Sequence, residues 1–235
     1  MTSFLNIILL ASALVVPSTL AQNVFNWDCT NSLMTCNNAC YWTNCKQTGE
    51  VTLTYDPDNA STQRDNSGCS KNPCNDPNVP HNGESCDEFP FASVKEGGTG
   101  ASLRCTPQSD QDSEGGQLSN FYANLDTGDQ YTVTVENYAG ARYCDDASDC
   151  TNDGEQFIYQ NGAFVDNRRM RSRGITPRGF QPNQGTPNRS PFRKFRGEDG
   201  SERLWLSNDR AGTLVNQTVW SQTKGEVRII EEIMD

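Results

Sequence analysis

The sequence holds one histidine, His81. A zinc centre usually recruits His and Cys in short-spaced pairs, so the cysteines would have to build it almost alone. Their spacings, such as Cys36-x3-Cys40-x4-Cys45, contain no Cys-x-x-Cys unit, and disulfides are the expected use of all ten. Paired cysteines leave no thiolate nucleophile, and no Gly-x-Ser-x-Gly elbow occurs, so covalent Ser or Cys catalysis is not expected. Past residue 21 no run is apolar enough to span a membrane. Positive charge is scarce as well: residues 1–167 carry six Lys/Arg against 22 Asp/Glu, a balance of −16. Such an acidic body lacks the general phosphate attraction of a basic surface.

What is present begins with an apolar stretch, Phe4 to Val16, followed by Pro17 and a small-residue end at Thr19-Leu20-Ala21. No Lys or Arg precedes it, so only the terminal amine supplies positive charge there. It reads as a secretory signal cut after Ala21, which makes the expected location extracellular. The ten cysteines fit that compartment, since they are even in number and all lie between Cys29 and Cys150. Their connectivity is not readable from spacing. Sequons at Asn59, Asn188 and Asn216 also suit a secreted glycoprotein. Apolar content is 34% and mean hydropathy is −0.72, so a modest core stapled by disulfides is expected.

Local patterning suggests an α+β chain. Ser32 to Cys45 reads as a short helix with Ser32 as N-cap. Glu50 to Tyr55 alternates as a strand, and the polar stretch from Asp56 to Ser85 reads as a loop tied down by Cys69 and Cys74. Ala101 to Cys105 and Tyr131 to Val135 read as strands. Between them Leu118, Phe121, Tyr122 and Leu125 share a helical face after Gly115-Gly116, which sets the expected helix at Gln117 to Leu125. Asn161-Gly162 joins two short apolar runs, a strong hairpin signal. Arg168 to Arg196 holds nine Lys/Arg and no acid. It reads either as a flexible linker or as an arm whose Arg168, Arg169 and Arg171 attract phosphate while Phe180, Phe192 and Phe195 stack on bases. Strands or a short helix are expected at Arg203 to Ser207, Leu214 to Trp220 and Val227 to Met234. The resulting division is a signal over 1–21, a disulfide-rich domain over 22–167, a basic arm over 168–196, and a C-terminal piece over 197–235 packed on the domain.

The chemistry concentrates in Cys86 to Tyr122. Asp87 and Glu88 form an adjacent carboxylate pair beside the apolar anchor Phe89-Pro90-Phe91, with Cys86 positioned to pin the other side. Glu96 precedes Gly97-Gly98, and Asn120 offers an amide oxygen. Such oxygens suit Mg²⁺ or Mn²⁺, whose shell a phosphodiester can complete. The run Cys-Asp-Glu-Phe-Pro-Phe-Ala-Ser from Cys86, then Glu96-Gly97-Gly98, Ser109-Asp110 and Gly115-Gly116-Gln117-Leu118-Ser119-Asn120-Phe121-Tyr122, resembles the NucA/NucB family of secreted deoxyribonucleases. The cysteine-rich flanks, with Cys36-Asn37-Asn38-Ala39-Cys40-Tyr41, are similar to its fungal-type members.

The resemblance implies a small α+β domain with a ββα-metal-like core, one divalent ion, and hydrolysis of DNA by a monomeric endonuclease with little sequence preference. It assigns Asp87 as general base, with Glu88 a further candidate that otherwise braces the motif. Glu96 is a further catalytic candidate and, with Asn120, an expected metal ligand or its support. Gln117 stands where bacterial members have an aromatic residue and receives no role. His81 reads as an exposed loop residue rather than a retained histidine base. Arg104 is open between holding the scissile phosphate and neutralising Asp87 or Glu96. Two rival functions remain at this level: a secreted binding or effector protein without turnover, and a nuclease preferring RNA. No membrane partner is expected.

Overall fold

The computed structural model describes residues 23–46, 51–79, 83–166, 192–207 and 211–234. The expected signal segment, His81, Arg168, Arg169, Arg171, Phe180 and Asn188 lie outside these residues.

Among the described residues the body is formed by two sheets and three helices of eight residues or more, with one further helical turn at Arg142–Asp145. Strand β1 (Asn23–Asp28) runs parallel to β5 (Gln130–Glu136) and to β10 (Thr218–Ser221). Strands β8 (Arg193–Gly197), β9 (Glu202–Trp205) and β11 (Gly225–Ile233) join antiparallel, giving the closed order β1-β10-β11-β8-β9-β5 and back to β1. The short strand β2 (Leu53–Thr54) extends this barrel beside the start of β5. Period-two alternation fills the interior: Val227 and Ile229 are buried while Glu226, Arg228 and Ile230 face outward. They pack with Val24, Phe195, Trp205, Leu214 and Val219. A charged cluster joins the same strands, where fully buried Arg203 meets Glu136 at 3.2 Å and Asp199 at 3.1 Å, with Lys224 2.9 Å from Asp199.

The second sheet is an antiparallel run of β3 (Ser85–Phe89), β4 (Ser102–Thr106), β6 (Phe157–Gln160) and β7 (Ala163–Asp166). Asn161 and Gly162 both take positive φ in the β6–β7 turn, as the Asn-Gly signal requires. Helices α1 (Leu33–Tyr41), α2 (Ala60–Ser67) and α3 (Gln108–Tyr122) pack around this sheet and against the barrel. Phe25, Trp27, Phe89, Phe91, Phe121 and Tyr131 form the core between them.

The mixed helix-and-sheet class with disulfides stands, but the ββα-metal-like expectation needs correction. The organising core is a β-barrel, and only β3, β4 and α3 follow one another as hairpin then helix. Sequence patterning missed the barrel because its closure depends on parallel pairing of β1 with strands about 105 and 195 residues away, and no local signal reports non-local pairing. Residues 193–196, read as the end of the arm, lie in β8. Phe192 and Phe195 are core residues, so they are not available to stack on bases.

All ten cysteines are paired: Cys29–Cys36, Cys40–Cys144, Cys45–Cys150, Cys69–Cys86 and Cys74–Cys105. The last two hold the segment after α2 against β3 and β4, where Cys86 and Cys105 are cross-strand partners. The stretch from Asp56 to Ser85, expected to be a loop, contains α2. Gly68 ends the helix at φ +93°, and a Cβ there would lie 2.6 Å from the Tyr159 side chain. Among the described residues no helix is long and apolar enough to cross a membrane. Five disulfides fit an extracellular protein.

A buried carboxylate cleft as candidate active site

Strand β3 places Asp87 and Glu88 on opposite faces, as adjacent strand residues must be. Both are buried. Asp87 turns toward the helices. Its Oδ2 accepts a 2.7 Å hydrogen bond from Asn38 Nδ2 of α1, and that nitrogen also donates to Ser102 O at 3.0 Å. Two acceptors on one nitrogen fix the amide's orientation and aim Asn38 Oδ1 away from them; this buried oxygen accepts no hydrogen bond from the described residues.

The second partner of Asp87 is Glu114 of α3, also buried. The two carboxyls hydrogen-bond to each other, so one must hold a proton. Burial pushes Asp87 up to about 7, opposed by its hydrogen bonds to Glu114 and Asn38. Burial and then the charge of Asp87 raise Glu114 further. Glu114, raised by burial and by the charge of Asp87, is the member that keeps its proton more readily and shares it with Asp87. Gln111 Nε2, one helical turn earlier, reaches Glu114 at 3.3 Å, while Gln111 Oε1 is buried without a hydrogen-bond partner.

Glu88 faces α2. Ser67 Oγ donates to its Oε2 in a short hydrogen bond, and Arg64 Nε lies 3.4 Å from Oε1. Burial raises Glu88, against the pull of Ser67 and Arg64. Between α2 and α3 opens a cleft of about 420 Å³, with Ser61 and Arg64 on one wall, Gln111, Glu114 and Leu118 on the other, and Glu88 and Phe91 lining it between them.

The other sequence candidates sit elsewhere. Glu96 is on the surface, where its carboxylate accepts from Thr54 N at 2.8 Å and Thr54 Oγ1 at 2.9 Å, so it ties the turn after β3 to β2. Asn120 is exposed near the end of α3 and six residues beyond Glu114, which puts it on a different face of the helix. The structure thus does not bring Glu96 or Asn120 to Asp87. Arg104 is the cross-strand partner of Asp87. Its guanidinium is nevertheless occupied by Asp153 at 2.9 Å and by Glu155, and it lowers Asp87 only as a minor coulombic influence.

Two residues that received no role are structural keys. Gln117 mimics a strand edge, accepting from Asp28 N and donating to Asp28 O at 2.9 Å each, which clamps α3 to β1. Asp110 accepts from Met34 N at 2.9 Å and so caps α1. Ser32, the expected cap, instead accepts from Trp27 Nε1. Glu114 was missed because Gly115-Gly116 suggested a helix start after it. Its signal was available: Glu114 lies four residues before Leu118 and seven before Phe121, on the face that α3 buries.

Hard oxygen donors gather here, in two carboxyls and two amide oxygens without hydrogen-bond partners. Among the described residues no three His, Cys, Asp or Glu side chains converge into a metal-binding group. A divalent cation held here would have to draw on the Asp87 and Glu114 carboxyls and an amide oxygen rather than on a three-acid cage.

Residues 39–134 match the family model for deoxyribonuclease NucA/NucB. The match takes in α2, β3, β4 and α3, and with them Asp87, Glu88 and Glu114, while β8 to β11 lie beyond it. No curated protein matches the chain.

Proposed function

From this NucA/NucB-family region and the cleft it carries, we propose that the protein is a secreted, metal-dependent endonuclease that hydrolyses DNA phosphodiester bonds with little sequence preference. The observation that carries the reading is the buried Asp87–Glu114 carboxyl pair, with Glu114 opening onto a cleft between two helices. A proton-sharing pair near neutral pH is matched to general-base work, because it can take a proton from water without being fully protonated beforehand. Asp87 is the base in this reading, held in place by Asn38. Glu114 keeps the proton that sets the charge state of Asp87.

On loss of its proton Glu114, with Asp87 and Gln111 Oε1, would hold Mg²⁺ or Mn²⁺. Such an ion supplies charge stabilisation on the phosphate and the leaving oxygen. Glu88 acts from the α2 side, and Phe89 and Phe91 fix the strand that presents both acids. Nothing lining the cleft resembles a base-reading helix, which agrees with cleavage independent of sequence.

The test is nicking of supercoiled plasmid by the secreted protein with Mg²⁺, Mn²⁺ or chelator, beside Asp87→Asn and Glu114→Gln. Metal-dependent nicking that falls at least about a hundredfold in both variants is expected. A folded wild type inactive on DNA and RNA with every divalent ion would overturn the catalytic reading in favour of nucleic-acid binding without turnover. Faster cleavage of RNA than DNA would overturn the substrate alone.

A further inference from the structure

An acidic cleft has to find a cation before a phosphodiester can enter it. The one expected from sequence, Arg104, is buried and its fork is filled by Asp153 and Glu155. Among the residues lining the cleft the cation is Arg64. Resting on the nuclease reading for the identity of its ligand, we propose that Arg64 is the phosphate-binding residue of this site, and that Glu88 is its positioning residue.

The geometry is that of an anchored fork. Arg64 is 55% exposed on α2, whereas Glu88 beside it is 4% exposed. Contact is made through Nε, the inner edge of the guanidinium, at 3.4 Å. Arg64 lines the cleft and its two terminal nitrogens make no hydrogen bond with the described residues, so they are free for two parallel N–H···O bonds to a phosphate. Ser67 fills one oxygen of Glu88, and the other, buried and without a hydrogen-bond partner among the described residues, faces the charge of the arginine. Ser61, one turn before Arg64, adds a hydroxyl to the same wall.

The placement relative to the acids is also fixed. Gly68 closes α2 against Tyr159, and the adjoining Cys69 is bonded to Cys86, the residue before Asp87. Arg64 therefore stands across the cleft from Gln111 and Glu114, on an element covalently tied to the strand that carries Asp87 and Glu88. A phosphate held between the two walls has a cation on one side and the proton-sharing pair on the other.

Initial rates on a short DNA duplex at several salt concentrations test this, using wild type, Arg64→Ala, Arg64→Lys, Arg64→Gln, Glu88→Gln and the distant surface control Arg228→Ala. Arg64→Ala should raise KM about tenfold and reduce the slope of log KM against log salt by about one. Arg64→Lys should restore the slope but not the whole of KM, because a point charge lacks the fork. Glu88→Gln should raise KM while keeping the slope. Should Arg64→Ala lose its melting transition, Arg64→Gln carries the same comparison. Anisotropy of the labelled duplex on the same proteins in chelator reads binding without turnover. KM, slope and affinity equal to those of Arg228→Ala would overturn the proposal even if the wild type cleaves. A wild type that binds through Arg64 without cleaving would sink the nuclease reading and leave this one standing. One that neither binds nor cleaves overturns both.

Discussion

Replacing Glu114 by Gln should make the protein more stable at pH 8 while removing its activity. A buried acid whose folded pKa lies above its unfolded value contributes stability below the unfolded pKa, and that contribution is lost as pH rises through the folded value. Asp87 moves from 3.8 to about 7 and Glu114 is raised as well, so the window runs from about pH 4 to above pH 7. At about 1.4 kcal/mol per unit, Asp87 alone accounts for up to about 4 kcal/mol across that window, of which about 3 kcal/mol falls above pH 5. The carboxyls that the fold depresses, Asp28, Asp146, Asp149 and Asp199, have the opposite sign and act below their ordinary range, outside the interval used here. In Glu114→Gln the burial of Asp87 is unchanged, but the proton that the folded Glu114 keeps and the unfolded one loses is gone from the balance. Guanidinium denaturation in chelator, disulfides intact, should show the wild type losing more stability than the variant between pH 5 and pH 8, by about 1.4 kcal/mol for each pH unit over which the folded Glu114 keeps its proton. Parallel losses in the two proteins would refute the proton-sharing pair. Saturating Mg²⁺ should then stabilise wild type more than Glu114→Gln at pH 8, because a cation favours the ionised pair.

Other consequences follow from the packing. Removing the Cys69–Cys86 bridge by a double Ala replacement should cost about 3 kcal/mol, read as a lower melting temperature, and should also reduce activity because the bridge fixes α2 beside Asp87. Gly68→Ala should destabilise by at least about 1 kcal/mol in the same assay, since the new Cβ meets Tyr159 at a left-handed backbone position. Arg203→Met should cost about 3–5 kcal/mol, leaving buried Glu136 without its nearest cation, and an unchanged melting temperature would refute a structural role for that cluster. Glu96→Ala should lower stability by about 1 kcal/mol through its bonds to Thr54, with cleavage reduced less than by Glu114→Gln; equal losses of activity would return Glu96 to the site.

The sequence was informative where chemistry is local. Asp87 and Glu88 stood out through their apolar neighbours and cysteine, and the Asn161-Gly162 turn followed from backbone geometry alone. Zinc was set aside on cysteine spacing, and every cysteine is in a disulfide. Glu114 and Asn38 stayed hidden because each becomes meaningful only when α1 and α3 converge on β3. Gly115 and Gly116 sharpened the difficulty. Each weakens a helix by about 1 kcal/mol, which reads as a break, yet α3 runs through both because Gln117 and the apolar face beyond hold it to β1. Both positions are open to solvent, and Gly115 lines the cleft, so their lack of side chains keeps the wall beside Glu114 clear. Arg104 misled for the opposite reason: Asp153 and Glu155, which claim it, lie some fifty residues downstream.

The two acids of the motif solve different electrostatic problems with the same burial. Asp87 is opposed by a second carboxyl, so its charge is compensated by a proton that either member can lose. Glu88 is opposed by Arg64 and Ser67, so its charge is compensated by a guanidinium and a hydroxyl rather than by a shared proton. An incoming cation competes only with the proton of the first pair, whereas an incoming phosphate competes only for the exposed edge of the second. On the proposed reading a metal ion and a phosphate would enter the cleft in either order without either displacing the other's ligand. Measured affinities for Mg²⁺ and for duplex should accordingly be perturbed separately, the first by Glu114→Gln and the second by Arg64→Gln.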